Sequence, residues 1–330
     1  MPNIAYHTTN TQHTSSFTRQ NFMPHLNQGF TYNNRIGANF EGLTVLDFYT
    51  QRYPLATRAE WETRISDGLV LLNNQPTTPN THIQRDQILT YNRPPWEEQD
   101  APQNWTVLFE DEHMVVINKP SGLQVLPGGL FLDNTLLSLT RQTYPDLAPI
   151  HRLGRGTSGI VICARTDFAR SRMTNALRAG QFKKIYRTRV VGTDLPDTFE
   201  ITHPIGRIPY FEIDTLFAAT PNGKPSETHC RTLHRDSQTN QSLVYVHIIT
   251  GRPHQIRIHL AAAGYPLVDD PLYTIGGGPR TITPGERLPL PGDTGYHLHA
   301  HQITFPHPES DETITLTAPL PDLLKTPTES

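Results

Sequence analysis

Two arginines and three glycines crowd one short stretch of this 330-residue chain. Residues 149–159 (Pro-Ile-His-Arg-Leu-Gly-Arg-Gly-Thr-Ser-Gly) are polar and glycine-rich, and they run into an apolar segment at residues 160–164. The pattern reads as a tight loop feeding a buried strand. Arg152 and Arg155 place two permanent positive charges on that loop, and successive backbone N–H groups of Gly154, Arg155 and Gly156 form a turn that could cradle an anion. The surrounding charge points the same way. Residues 151–190 hold ten basic side chains and one acidic one, Asp167, in a chain whose formal net charge is −3. A local basic stretch in an acidic chain is the footprint of a surface that meets phosphate; a solvated helix face is the plainer reading of the same run. His297, His299 and His301 alternate, so a strand would put all three on one face at a spacing that can bind a metal. Other chemistries lack their residues. Ser158 has Gly156 before it but Ile160 where a nucleophile elbow needs glycine, and Gly223-Lys224 runs into Pro225 without the glycine that opens a phosphate-binding loop.

The elements that must position this loop follow from the rest of the chain. Apolar content of 36% and charged content of 18% suit a globular protein with long polar connections, and 29 prolines favour turns and edge segments over long helices. The length suggests two domains. No apolar run reaches the roughly 20 residues of a membrane span. Residues 1–28 lack the basic start and apolar block of a secretory signal and are rich in Thr, Asn, Gln and His. Cys163 and Cys230 are too few for a disulfide framework. A small module is expected over residues 36–92, with residues 1–35 disordered before it and a proline-rich linker at residues 93–104. Thr57 is placed to cap a helix that Gly68 would end, and strands follow at residues 69–74 and 87–91. The second domain, residues 105–330, opens with strands at 106–110 and 114–117. Thr166-Asp167 caps a helix to about Arg178 with Phe168, Met173 and Leu177 as its buried stripe, and strands follow at 184–191 and 243–250. Many short strands and few helices give an α+β domain with a mainly antiparallel mixed sheet.

The loop also resembles a known signature. His151-Arg152-Leu153-Gly154-Arg155-Gly156-Thr157-Ser158-Gly159 is similar to the His-Arg-Leu-Asp-Arg-Asp-Thr-Ser-Gly loop of RluA-type RNA pseudouridine synthases. Further motifs come in the family's order: Asn118-Lys119-Pro120-Ser121-Gly122, the strand Lys184-Ile185-Tyr186, Gly223-Lys224-Pro225, Gly251-Arg252-Pro253-His254-Gln255-Ile256-Arg257, Asp269-Asp270-Pro271-Leu272-Tyr273, Leu298-His299-Ala300 and Phe305-Pro306-His307-Pro308. The resemblance covers roughly residues 105–319, and residues 36–92 resemble, more faintly, the small RNA-binding module often fused to these synthases.

The resemblance implies the pseudouridine synthase fold and an isomerase that flips a uridine out of structured RNA, ribosomal or transfer, and rejoins its base through carbon 5 without cofactor or metal. With no membrane span, no secretory signal and only two cysteines, a cytoplasmic protein is the default expectation, and a monomer that binds neither DNA nor membrane is expected. Tyr186 would stack on the base and accept its proton, Arg257 would pair with the catalytic carboxylate, and Arg152 would enter the space left by the flipped base. His151, Arg155, Lys184, Arg187 and Arg252, with Arg58 and Arg64 of the small module, would meet RNA. One departure stands at the centre: the family's nucleophilic aspartate falls on Gly154, and its second aspartate on Gly156. Three accounts are open. Another carboxylate reaches the pocket, with Asp269 the first candidate because a family glycine has become aspartate there, and Asp133 and Asp146 behind it. Alternatively, the family comparison misplaces the nucleophile in this branch, or a water or an RNA group serves. Otherwise the chain is a non-catalytic RNA-binding relative.

Overall fold

In a computed structural model, which describes residues 26–53, 56–210, 213–283 and 285–329, the chain divides into two compact units. One holds residues 26–98 with 208–216; the other holds 99–207 with 217–329. In the first unit, β1 (Phe30–Arg35), α1 (Val45–Arg52), α2 (Arg58–Ser66), β2 (Val70–Leu72), β3 (Gln75–Pro76) and β4 (Ile88–Arg93) build a four-stranded sheet in the order β1-β4-β2-β3. The two helices begin where their caps dictate. Thr44 accepts from the Asp47 backbone N–H, and Thr57 and Glu60 form a reciprocal capping box. Their apolar faces bury Tyr49, Trp61, Ile65 and Phe48 against Leu89 and Tyr91, with the Tyr49 ring stacked 4.5 Å from Trp61. Residues 30–35 are not part of a disordered leader: β1 pairs with β4 along its whole length, so each polar residue there spends its backbone on the sheet. The rest of the expected disordered segment, residues 1–25, lies outside the described residues.

The second unit carries β5 (Thr106–Glu110), β6 (Met114–Lys119), α3 (Leu136–Arg141), β7 (Ala148–Pro149), β8 (Thr157–Ala164), α4 (Asp167–Arg178), β9 (Lys183–Val191), β10 (Thr198–Ile201), β13 (Thr228–Asp236), β14 (Gln241–Ile248), α5 (Gln255–Ala262), β15 (Leu298–Pro306) and β16 (Thr313–Thr317), and the hairpin β11 (Ile205–Tyr210) and β12 (Asp214–Ala219) crosses the division between the units. Among the described residues these form a ten-stranded sheet whose central path runs β10-β13-β14-β9-β15-β8-β6-β5. Every pairing given for it is antiparallel except β15 with β8. Continuous apolar runs mark strands buried on both faces. Val115, Ile117, Val161 and Cys163 pack on one side with α5 residues Ile256 and Leu260, while Met114, Val116, Ile160 and Ile162 pack on the other with Met173 of α4. The stripe expected on α4 is shifted. Ala169 and Met173 are buried, and Phe168 is 52% exposed, turned toward the His113 ring. Gly159 has φ +104, and a Cβ there would lie 2.2 Å from the Ala300 carbonyl oxygen. That backbone approach holds β8 against β15, and only glycine permits it.

Four histidines are built into this unit as neutral groups. Burial pushes His151, His259 and His299 from 6.5 down to about 4, and His254 to about 3. The bonding agrees, since His151 Nε2 accepts from the Ile162 N–H, which a proton would forbid. The folded values lie below the unfolded value of 6.5, so the unfolded chain takes up protons first as pH falls from 6.5 toward 4. Stability is therefore retained above that window and lost through it, at roughly 1 kcal/mol per pH unit for each histidine. Urea unfolding at pH 7 and pH 5 is expected to show a clearly lower midpoint at pH 5. Equal midpoints would mean that these rings are charged in the folded state.

Candidate active site

The glycine-rich loop is held from beneath by the turn after β6. Gly122 N–H donates to the Arg155 carbonyl at 2.8 Å and the Ser121 hydroxyl to the Gly156 carbonyl at 2.7 Å. Lys119, fully buried, donates to three carbonyls, those of Pro120, Leu123 and Arg155. Burial and the nearby Arg155 charge push its amine down to about 7, while the three acceptors favour keeping its proton. Lys119 is thus a clamp on the loop. Above it Gly154 and Arg152 are exposed.

Arg257, on α5, is 2% exposed. Its Nε and Nη2 donate to the two carboxylate oxygens of Asp270, each at 2.7 Å, and the Asp270 side chain is 1% exposed. Asp270 Oδ1 also accepts from the backbone N–H groups of Leu272 and Tyr273. Burial alone would weaken the charged form of Arg257; the bond to Asp270 and the neighbouring tyrosines outweigh it and raise its pKa. The guanidinium carbon lies 4.1 Å from the centroid of the Tyr296 ring and 4.9 Å from that of Tyr273. Nη1 is buried without a hydrogen-bond partner. Arg257 is therefore not the uncompensated cation that a missing carboxylate at 154 would leave. The partner is Asp270, whereas Asp269, beside it, has φ +58 and an exposed side chain. Asp133 and Asp146 are exposed as well.

The space beside Gly154 is taken by Tyr296, a 3% exposed residue between Asp293 and β15. A Cβ on Gly154 would lie 3.2 Å from the Tyr296 hydroxyl, and one on Gly156 2.9 Å from the ring carbon Cζ. The hydroxyl is 3.4 Å from Thr157 Oγ1. Tyr186, on β9, is 8% exposed and packs in the same apolar cluster as Tyr296, Leu153 and Leu298. Burial pushes its phenol up to about 12, so it holds its proton near neutrality. Its sequence neighbour Arg187 is engaged elsewhere. Arg187 makes two 2.8 Å bonds to Glu329, and its guanidinium depresses the Glu329 carboxyl to about 2.

The basic residues divide into two groups. Arg165, Arg170 and Arg172 pair with Glu110, Asp167 and Asp311, and Arg189 bonds the Leu323 carbonyl. Arg155 donates to the Gly292 carbonyl, Arg252 to that of Pro225, and neither has an acid partner among the described residues. Arg152 makes no hydrogen bond or ion pair among the described residues and stands exposed on the loop; Lys184 is half-buried, its amine lowered by burial. His151 is a backbone acceptor, as above. In the small unit Arg58 bonds Asp47 at 2.7 Å, and Arg64 lies over the Trp61 ring at 4.7 Å. Of the three alternating histidines, the His299 and His301 rings lie 6.1 Å apart, but His299 bonds Ser158 and His301 the Ala318 carbonyl, and the three do not form a metal-ligating cluster among the described residues. Asp270 and Tyr296 are the residues that motif reading passes over. Asp270 was in view as the neighbour of Asp269, but Tyr296 carries no signal of spacing.

A profile of the RNA pseudouridylate synthase family matches residues 113–262. An uncharacterized RNA pseudouridine synthase of Synechocystis sp. is 43% identical over 285 residues, 86% of this chain and 96% of the relative. RNA pseudouridine synthase 5 of Arabidopsis thaliana is 38% identical, covering 93% and 97%, and ribosomal large subunit pseudouridine synthase D of Neisseria meningitidis serogroup B is 32% identical, covering 82% and 73%. The chain belongs to the RluA-type RNA pseudouridine synthases. These are isomerases acting on RNA. The fold agrees: the structure of human RNA pseudouridylate synthase domain containing 1 superposes with a TM-score of 0.54 at 23% identity, over 69% of this chain and 89% of that one.

Because Arg257 and Asp270 are both out of water, Asp270→Asn leaves a guanidinium without its counter-charge and is expected to cost about 3–5 kcal/mol, read as a lowered urea midpoint. Asp269→Asn, at an exposed left-handed position that asparagine tolerates, is expected to stay within about 0.5 kcal/mol of the unaltered protein. Equal losses in the two variants would contradict the pairing.

Proposed function

We propose that this protein converts uridine to pseudouridine in structured RNA by taking the target base out of the stack. The observation that carries the reading is the buried Arg257 with its free Nη1, set beneath an exposed glycine-rich loop that presents the unpaired Arg152. That combination offers a phosphate contact outside and a fixed cation inside, where charge develops when a glycosidic bond breaks. Arg152 and the other unpaired cations, Arg155 and Lys184, supply the sequence-independent part of RNA binding. Tyr186 offers a flat ring in the apolar pocket wall and is read as the surface a base stacks on; its raised pKa speaks against the role of resting proton acceptor.

Ribosomal RNA is the favoured substrate class, since the Neisseria relative is named for the large ribosomal subunit, with transfer RNA second. The protein is read as a cytoplasmic monomer that needs no cofactor. Of the described residues, no helix is long and apolar enough to cross a membrane. A second reading, an RNA-binding relative without catalysis, draws on the glycine at 154 and the tyrosine filling the space beside it.

Tritium release from unmodified ribosomal and transfer RNA transcripts labelled at uracil carbon 5 separates the two. Release by the purified protein is expected, and Asp269→Asn is expected to retain it. Retained binding with no release would establish the second reading. Arg152→Ala is expected to weaken binding across all transcripts alike and to lower the slope of log affinity against log salt by about one. A change confined to one sequence would argue that Arg152 reads a base.

A further inference from the structure

The loss of two side chains at 154 and 156 and the presence of a tyrosine at 296 are one arrangement. A Cβ on Gly156 would lie 2.9 and 3.0 Å from Cζ and Cε1 of the Tyr296 ring, and one on Gly154 would meet its hydroxyl at 3.2 Å. A side chain at 156 would force the tyrosine ring to shift, and one at 154 would crowd its hydroxyl. Its hydroxyl touches an exposed residue of the loop, while its ring is anchored in the core by Leu153, Leu298 and the Arg257 guanidinium. Beside the position that the family resemblance assigns to a nucleophilic carboxylate there is therefore a phenol oxygen, carried by the segment that precedes β15.

We propose that Tyr296 is the catalytic nucleophile of this protein, its phenol oxygen attacking the ribose of the flipped uridine. The proposal rests on the isomerase reading above and names the residue that performs it. Tyrosine serves as the nucleophile at an anomeric carbon in sialidases, so a phenol is competent for chemistry at a glycosidic centre. The steps balance. The phenol oxygen bonds to ribose carbon 1′, the bond from that carbon to uracil N1 breaks with its electron pair left on the base, and the phenol proton passes to the uracil. The base turns, carbon 5 attacks carbon 1′, and the bond to the tyrosine oxygen breaks with its pair returning to oxygen. The phenolate then takes the proton that carbon 5 must lose. One hydrogen has moved from carbon 5 to N1, and the tyrosine is restored with no oxidant, reductant or metal. The negative charge on the departing phenolate forms on a ring whose centroid lies 4.1 Å from the Arg257 guanidinium carbon, so a fixed cation is already stacked on it. The scheme also relieves Tyr186 of a proton transfer for which burial unsuits it.

The test compares tritium release and RNA binding by the unaltered protein, Tyr296→Phe and the double variant Gly154→Asp/Tyr296→Ala on the same labelled ribosomal transcripts. Tyr296→Phe keeps the ring and removes only an oxygen that lies 3.4 Å from Thr157 Oγ1, so the fold and RNA binding are expected to persist. Its rate of release is expected to fall at least about 100-fold. In the double variant the space is open to the carboxylate, and release is expected to reappear above the level of Tyr296→Phe. An active unaltered protein with an equally active Tyr296→Phe overturns the assignment of Tyr296 and leaves the isomerase reading standing. An inactive unaltered protein overturns both, whether or not the double variant is active; activity in the double variant would then identify Tyr296 as a plug in a pocket that lost its carboxylate.

Discussion

A guanidinium taken out of water must be met by charge and hydrogen bonds, and the geometry of this site follows from how Arg257 is met. Its fork is matched by both oxygens of Asp270 at 2.7 Å, the bidentate arrangement that a planar guanidinium favours. Asp270 is in turn fixed by two backbone N–H groups, which curls residues 270–273 back toward α5. That curl brings Tyr273 over one face of the guanidinium, and its hydroxyl bonds both His254 and the Phe217 carbonyl. His254, in a left-handed conformation, precedes the first turn of α5. The chain of contacts closes on the helix that carries Arg257, so the buried cation and the structure that tolerates it are held together by the same bonds.

The parts of this structure that were legible in the sequence are those set by local rules. The capped helices at 58–66 and 167–178, the apolar strands and the glycine-rich loop before β8 follow from residue type and spacing. Where local rules stop, the reading shifts. Phe168 belongs to the expected apolar stripe, but α4 lies on the sheet through the small Ala169 and through Met173, which turns Phe168 outward. Asp269 and Asp270 are adjacent acids with opposite fates because the backbone at 269 is left-handed, and nothing in an Asp-Asp pair announces which one turns inward. Tyr296 lies more than 130 residues from the glycines it touches. Its only trace in the sequence is indirect: two glycines where side chains are expected leave a volume that a close-packed interior must fill from elsewhere.

The basic run shows the same limit for electrostatics. Ten basic residues against one acid over residues 151–190 suggest a strong local field. In the folded chain four of those arginines meet carboxylates, three of which, Glu110, Asp311 and Glu329, lie outside the run. Pairing across the fold therefore removes much of the charge that counting along the chain assigns to one surface. Arg152 and Arg155, which lack acid partners among the described residues, sit on the loop itself, so the remaining field is concentrated where the chemistry is expected.

Charge balance also bears on why a phenol suits position 296. Arg257 and Asp270 already cancel within the buried site, and one guanidinium N–H group remains unused. A carboxylate at 296, a position 3% exposed, would add a net negative charge to the buried pair at a cost in desolvation. The ring of Tyr296 packs in the apolar cluster and stacks on the cation. In the proposed scheme the phenolate formed during the reaction lies against the guanidinium on which its ring already stacks. The same burial that holds the resting site together thus leaves the interaction with Arg257 strongest in the charged, reacting state, which is the condition under which a fixed cation accelerates a step rather than merely binding its substrate.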